Sequence, residues 1–366
     1  MNPPPRGGRQ DTQDTKEVTT VEVREMLERL CAVGAPSGFE GPAAAAALEL
    51  LRPLMDEVWT DRLGNVIGVR RCGKENAPRL LLDAHLDEIG LVVTGIEKGF
   101  LRFGTIGGVD QRMLPDRELT ILTDPPRLGV VACLPPHVLS PEDREKAPPI
   151  DEFFVDTGLS QEEAKNCIPI GTPMVFRAGF TALGEHQLCA KSMDDRSCFV
   201  SLLRAAQLLQ GRELDVDLYI MGSTREEVSG TGAIAGTRSI NPDYCVAVDV
   251  THGRTPDSPK DRTCAIGGGP AIGIGPNMTR WMTTRLFEKA EQAGIPVQKE
   301  VMSGHTGTNA WGMQVCNEGI ATAVVSLPLK YMHTPVEVLD VNDLEAVAQL
   351  LAAFVQGLGK EGGAQW

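Results

Sequence analysis

Four apolar runs along this chain end in, or lead straight into, residues of metal-binding type. Arg79-Leu80-Leu81-Leu82-Asp83-Ala84-His85 reads as a buried strand closing on a histidine, with Asp87 two residues further on. Leu214 to Met221 alternates apolar and polar positions as a strand does, and it runs into Gly222-Ser223-Thr224-Arg225-Glu226-Glu227. Tyr244-Cys245-Val246-Ala247-Val248 reaches Asp249 at the predicted end of a third strand. Ala321 to Leu327, predicted to stop at Pro328, is followed by His333.

Helical periodicity fills the intervals. Val21 to Leu30 follows Thr20 as a plausible N-cap, and Pro42 opens a predicted helix over Ala43 to Met55. Val58-Trp59-Thr60 and Asn65-Val66-Ile67 flank a turn at Gly64-Asn65. Ser197 to Leu209 carries helical spacing and meets Gly211 as a stop signal. The last helix is predicted from near Asn342, with Glu345 as its capping-box partner and an apolar face of Leu344, Val347, Ala348, Leu351, Phe354 and Val355. Strands alternating with helices imply an α/β fold whose largely parallel sheet is covered on both faces. Such sheets bind ligands at the carboxyl ends of their strands, so distant residues are able to converge there.

The texture changes over 91–179, where short strands are separated by Asp124-Pro125-Pro126, Pro135-Pro136 and Pro148-Pro149 and Ser160 to Lys165 is the clearest helix. That stretch is expected to be a small β-rich domain inserted into a discontinuous catalytic domain of residues 19–90 and 180–366. Residues 1–18, polar and rich in Pro and Gly at the start, are expected to be a disordered tail without the apolar core of a signal peptide.

Composition narrows the function. A formal charge of -14 on 366 residues, with no long basic run, argues against nucleic acid or an anionic membrane as partner. Nine cysteines with no C-x-x-C pair read as reduced thiols, which points to the cytoplasm.

Taken singly, the polar features have ordinary explanations. His85 fits a hydrogen-bonded residue at a strand end, Asp194-Asp195 an acidic helix start, and Glu226-Glu227 a solvated pair. Asp249 is harder to place, because an unpaired carboxylate after an apolar run is costly to bury. Two histidines and three carboxylates together suit a pair of divalent ions with one bridging carboxylate. Ions of that kind lie roughly 3.5–4 Å apart and hold a hydroxide formed at neutral pH.

His85-Leu86-Asp87-Glu88-Ile89-Gly90, Met193-Asp194-Asp195-Arg196, Glu226-Glu227-Val228, Asp249-Val250-Thr251-His252 and Tyr331-Met332-His333-Thr334-Pro335-Val336-Glu337 resemble, in order, the motifs of the glutamyl aminopeptidase family. These are the tetrahedral, or TET, metallo-aminopeptidases, some of them labelled cellulases or endoglucanases. Pro36-Ser37-Gly38-Phe39-Glu40, Ile106-Gly107-Gly108 and Pro135-Pro136-His137 fit as well, so the resemblance covers roughly Val21 to Leu358. It implies a three-layer αβα catalytic domain carrying a PDZ-like dimerisation domain, with dimers assembling into a hollow dodecamer that admits short peptides with a free N-terminus. Carried over, His85 and Asp249 hold one metal, Glu227 and His333 the other, and Asp194 bridges. The resemblance implies two divalent ions, expected to be zinc or cobalt, with manganese compatible. It further implies that Glu226 is the general base acting on a metal-bridging hydroxide, that Asp87 orients His85 and that the Asp194-Asp195 bond is cis.

Asn309 departs from the pattern, since many relatives carry aspartate there, and the change is expected to bear on specificity. Gly267-Gly268-Gly269 lacks the ending of a phosphate loop and reads as a turn near the substrate cleft. His252 and His305 are expected to support the site or lie on the surface. Three rival functions follow from the same residues: a glycosidase using Glu226 and Glu227, a dinuclear carboxypeptidase or deacylase, and a catalytically silent assembly protein. A glycosidase needs its two carboxyls to flank one bond at about 5–9.5 Å, whereas neighbours at a strand end tend to point apart.

Overall fold

The computed structural model describes residues 10–146 and 148–358. In chain order, its first half contains α1 (Gln10–Cys31), α2 (Gly41–Leu51), β1 (Glu57–Thr60), β2 (Val66–Arg70), β3 (Arg79–His85), β4 (Gly90–Glu97), β5 (Phe100–Ile106), β6 (Glu118–Ile121), β7 (Arg127–Ala132), β8 (Phe154–Asp156), α3 (Gln161–Cys167) and β9 (Pro173–Phe176). The second half contains β10 (Thr181–Leu183), β11 (Gln187–Ala190), α4 (Met193–Leu209), β12 (Asp217–Ser223), α5 (Thr231–Ile240), β13 (Tyr244–His252), β14 (Ala271–Ile274), α6 (Arg280–Ala293), β15 (Gln298–Val301), α7 (Ala310–Met313), β16 (Ala321–Leu329), β17 (Glu337–Asp340) and α8 (Val341–Gly357).

Eight strands build one sheet in the order β1-β2-β12-β3-β13-β16-β14-β15. Its centre, β12-β3-β13-β16, is parallel throughout, while β2 runs antiparallel to β12 and β14 antiparallel to β16. The sheet is therefore mixed towards its edges, where periodicity predicted a largely parallel one. Continuous apolar runs mark central strands buried on both faces, but short edge strands carry no signal of direction.

Alternation along β3 sends Leu80, Leu82 and Ala84 into a large core shared with α1, α2, α4, α6 and α8. Leu81 joins a second core with Ala233 and Ile240 of α5 and Ala310 and Met313 of α7. Helices thus cover both faces, and the central strand ends remain available at one edge. Between β3 and β10, strands β4-β5-β8-β7-β6-β9 close a barrel around Leu91, Leu101, Leu119, Val131, Val155 and Met174. No helix among the described residues is long and apolar enough to cross a membrane.

Several element ends differ from the sequence expectation, each for a local reason. α1 begins at Gln10, inside the stretch expected as a tail; Gly8 is the last Gly or Pro before Gly34, so nothing breaks the helix between them. Residues 1–9 of that expected tail lie outside the described residues. α2 stops at Leu51 and tightens into a 3-10 turn over Arg52–Leu54, because Pro53 has no N–H to continue the ladder. β16 runs through Pro328 to Leu329; its pairing with β14 ends at Ser326, so one side of the strand has no ladder for proline to interrupt. α8 is capped by Asp340, whose side chain accepts from the Asn342 N–H, while Glu345 binds Arg204 at 2.9 Å instead of closing a capping box.

Candidate metal centre

The parallel register delivers the polar residues to one edge. His85 ends β3 opposite Ser223, the last residue of β12, and Glu226 and Glu227 follow in the next turn. Asp249 stands within β13, not at its end, since that strand continues to His252. His333 follows β16 with a backbone φ of 61°, and Asp194 lies at the start of α4 beside the cis peptide bond to Asp195.

Asp194 is shared between two groups. Its Oδ1 lies 3.1 Å from His85 Nε2, and its Oδ2 lies 3.3 Å from His333 Nε2. The ligating atoms of His85, Asp194 and Asp249 all fall within 4.8 Å of one another, as do those of Asp194, Glu227 and His333. Glu227 Oε2 is 3.2 Å from His333 Nε2, whereas Glu226 Oε2 approaches His85 Nε2 at 4.0 Å. The adjacent glutamates therefore face different histidines.

Backbone and carboxylate contacts from other segments fix these side chains. His85 Nδ1 lies 3.1 Å from the Asp87 carbonyl and 3.5 Å from Asp87 Oδ1, which leaves Nε2 turned to the centre. The Asp87 carboxylate itself accepts from the N–H groups of Glu226 and Glu227 and from Ser37 Oγ, so it also clamps the turn carrying both glutamates. His333 Nδ1 is held at 3.0 Å by the carbonyl of Gly108, in the loop leaving barrel strand β5.

Glu337 had no role in the sequence reading, yet it is central to the geometry. Its Oε2 accepts from the N–H groups of Met193 and Asp194 and its Oε1 from that of His333, tying the Asp194 backbone to that of the second histidine. The only sequence signal was a glutamate opening an apolar strand. Glu88, Lys191 and Arg196 were missed in the same way: Lys191 Nζ reaches Glu88 Oε2 at 2.7 Å and Arg196 Nη2 reaches Oε1 at 3.1 Å, all of them buried.

The electrostatics fit bound cations. Burial pushes the carboxyls of Glu227 and Asp249 well above their usual range, and the charge of Asp194 adds to this. Burial also opposes the charge of Asp194, but hydrogen bonds with His333 and His85 outweigh it and hold that carboxyl low. Burial likewise works against the charged forms of His85 and His333, yet their hydrogen bonds with Asp194 outweigh it and raise the pKa of both imidazoles. Crowded carboxylates that retain or borrow protons are what two cations would neutralise, and an imidazole and carboxylate set suits zinc, cobalt or manganese.

The centre opens onto a cleft of about 400 Å³ that is also lined by Val250, Thr251, His252, Glu300, Met302 and Met332. Asn309 does not line it. The Asn309 side chain is buried and donates to Asp83 Oδ2 at 2.8 Å and Ser223 Oγ at 3.0 Å, so it joins β3 to β12 behind the site and is not placed to read substrate. The glycine run 267–269 likewise wraps the carboxylate of Asp343 in α8, which accepts from the N–H groups of Gly267 and Gly269. His252 lines the cleft, and His305 stacks on Trp311 with centroids 4.3 Å apart.

Comparison with known proteins points the same way. The family model of M42 glutamyl aminopeptidase matches residues 64–350. A lysyl aminopeptidase from Pyrococcus furiosus is 36% identical over 341 residues, covering 91% of this chain and 97% of its own. An aminopeptidase structure from the archaeon Desulfurococcus kamchatkensis superposes with a TM-score of 0.86 at 35% identity, covering 92% of this chain and 95% of its own. The TET1 peptidase of Pyrococcus horikoshii, which can assemble into a tetrahedron or a large octahedral shell, gives 0.81 at 29% identity, covering 92% of this chain and all of its own. This chain belongs to the M42 glutamyl aminopeptidase family of peptide hydrolases.

Proposed function

We propose that the chain is a dinuclear metal-dependent aminopeptidase that removes N-terminal residues from short peptides. The observation that carries this reading is the division of one carboxylate, Asp194, between His85 and His333. His85 and Asp249 complete one ion site, Glu227 and His333 the other. When bound, two divalent ions supply Lewis-acid polarisation of the scissile carbonyl and acidify water at neutral pH. Glu226, partly open to the cleft and raised in pKa by burial, accepts the proton of the attacking water at its carboxylate and delivers it to the departing amine. Asp87 keeps the Glu226 backbone in place for that transfer.

On this reading the helix-covered sheet is the three-layer αβα catalytic body, and the barrel is a PDZ-like dimerisation domain. Exposed Leu128, Val130 and Ile170 on or beside the barrel support a covered face, and the shells of the TET1 relative support assembly of dimers into a dodecamer. A cytoplasmic location fits nine unpaired cysteines. The glycosidase reading loses support because Glu226 and Glu227 face different histidines. The test compares hydrolysis of peptides with free and acetylated α-amines: cleavage of the free-amine series alone is expected, and equal cleavage of the acetylated series would favour the deacylase or carboxypeptidase reading.

A further inference from the structure

One carboxylate in the cleft is used neither by the metal groups nor by the proton transfer. Glu300 lies on β15, the edge strand of the main sheet, and lines the same cleft as the centre. Thr251 Oγ1 donates to Glu300 Oε1, which fixes the carboxylate in one orientation. Its other oxygen, Oε2, is buried with no hydrogen-bond partner. An unpartnered carboxylate oxygen out of water is costly, and a cationic group brought into the cleft beside Glu300 would offset that cost.

Its position relative to the centre sets which donor fits. Thr251 follows the metal-group residue Asp249 by two positions in β13, so the two share a face of the strand about 6–7 Å apart. Glu300 is held by Thr251, not by a residue of the centre. A residue whose backbone is held at the centre would need a long side chain to reach it. Val250, Met302 and Met332 line the intervening cleft and offer apolar surface to an aliphatic stem. No lysine or arginine is among the residues lining the cleft, so Glu300 has no internal counter-ion there and would repel an acidic side chain.

Resting on the aminopeptidase reading above, we propose that Glu300 is a specificity-determining residue that selects peptides with a basic N-terminal side chain, lysine or arginine. The cationic head pairs with the Glu300 carboxylate, and the stem packs along the methionines.

The test measures kcat/KM of the metal-loaded protein on free-amine peptides that begin with Lys, Arg, Leu or Glu. Wild type should prefer Lys and Arg. Glu300→Gln, which keeps an acceptor for Thr251, should lower the Lys-to-Leu ratio by about tenfold to a hundredfold, the range for a charge-assisted hydrogen bond. Glu300→Lys should shift preference towards Glu. Preference of wild type for Leu or Glu peptides overturns the assignment and leaves the aminopeptidase reading standing. Equal losses on every peptide in Glu300→Gln also overturn it, because they would place Glu300 at the α-ammonium common to all substrates or in a purely structural role. Cleavage of none of the free-amine peptides overturns both readings.

Discussion

Asp194 is a short side chain asked to face two histidines at once, and its neighbours show how that is achieved. The N–H groups of Met193 and Asp194 are bound by Glu337, whose second oxygen takes the N–H of His333. Glu226 belongs to neither of the two candidate metal groups, and the proposed mechanism gives it the proton transfer. Glu226→Gln is therefore expected to retain the metal content of wild type and lose about 10²- to 10⁴-fold in kcat, read by mass spectrometry and peptide hydrolysis on one sample. A metal-loaded variant of full activity would remove Glu226 from the mechanism. His85, Glu227, Asp249 and His333 were legible because each lies on or after an apolar run, and strand ends of a parallel sheet share an edge; Asp194, at a helix start, was legible only through its motif. Glu337 and Gly108 were not legible, since their partners are backbone groups and a ring from distant segments. Asn309 was misread because its partner Asp83 lies on the buried part of β3, invisible to spacing.

At the scale of elements, two joints hold the edge in place. Arg196 of α4 is fully buried and donates to the carbonyls of Leu30, Val33 and Leu86 as well as to Glu88, joining the end of α1 to the end of β3. Burial opposes the charge of Glu88, but Lys191 and Arg196 outweigh it and bring its carboxyl from an ordinary 4.5 to about 2. A depressed folded-state pKa contributes stability that is complete above pH 4.5 and is lost as pH falls towards 2. Glu88→Gln should then cost about 3–5 kcal/mol near neutral pH, with the gap to wild type closing over that acidic window in urea unfolding. A gap independent of pH would show that the ion pair is not the source.

The second joint is the loop that brings the barrel onto the sheet. A Cβ on Gly108 would lie 2.8 Å from His333 Nδ1, and the Gly108 carbonyl is the partner of that nitrogen. Gly108→Ala should therefore weaken metal binding at the Glu227 and His333 group by about 10- to 100-fold, measured by titration with zinc. Unchanged affinity would mean that the barrel does not position His333. Element types were readable from periodicity, while the direction of edge strands and the closure of the barrel depended on pairing that no local pattern encodes.

Across the whole molecule, the chain spends its core on presenting one edge: two hydrophobic layers hold a sheet whose central strand ends, with a loop from the barrel, enclose one acidic cleft. Hydrogen bonds with Asp194 raise the pKa of His85 and His333, so metal loading through these two imidazoles is expected to release protons and to weaken as pH falls. The most direct test is to strip the protein of metal, titrate it with zinc or cobalt, and follow bound ions and cleavage of free-amine dipeptides in the same samples. Two ions per chain, with cleavage absent before loading and appearing as the sites fill, is the predicted result. Full cleavage by metal-free protein, or saturation of binding and activity at a single ion, would contradict a centre built on a shared Asp194.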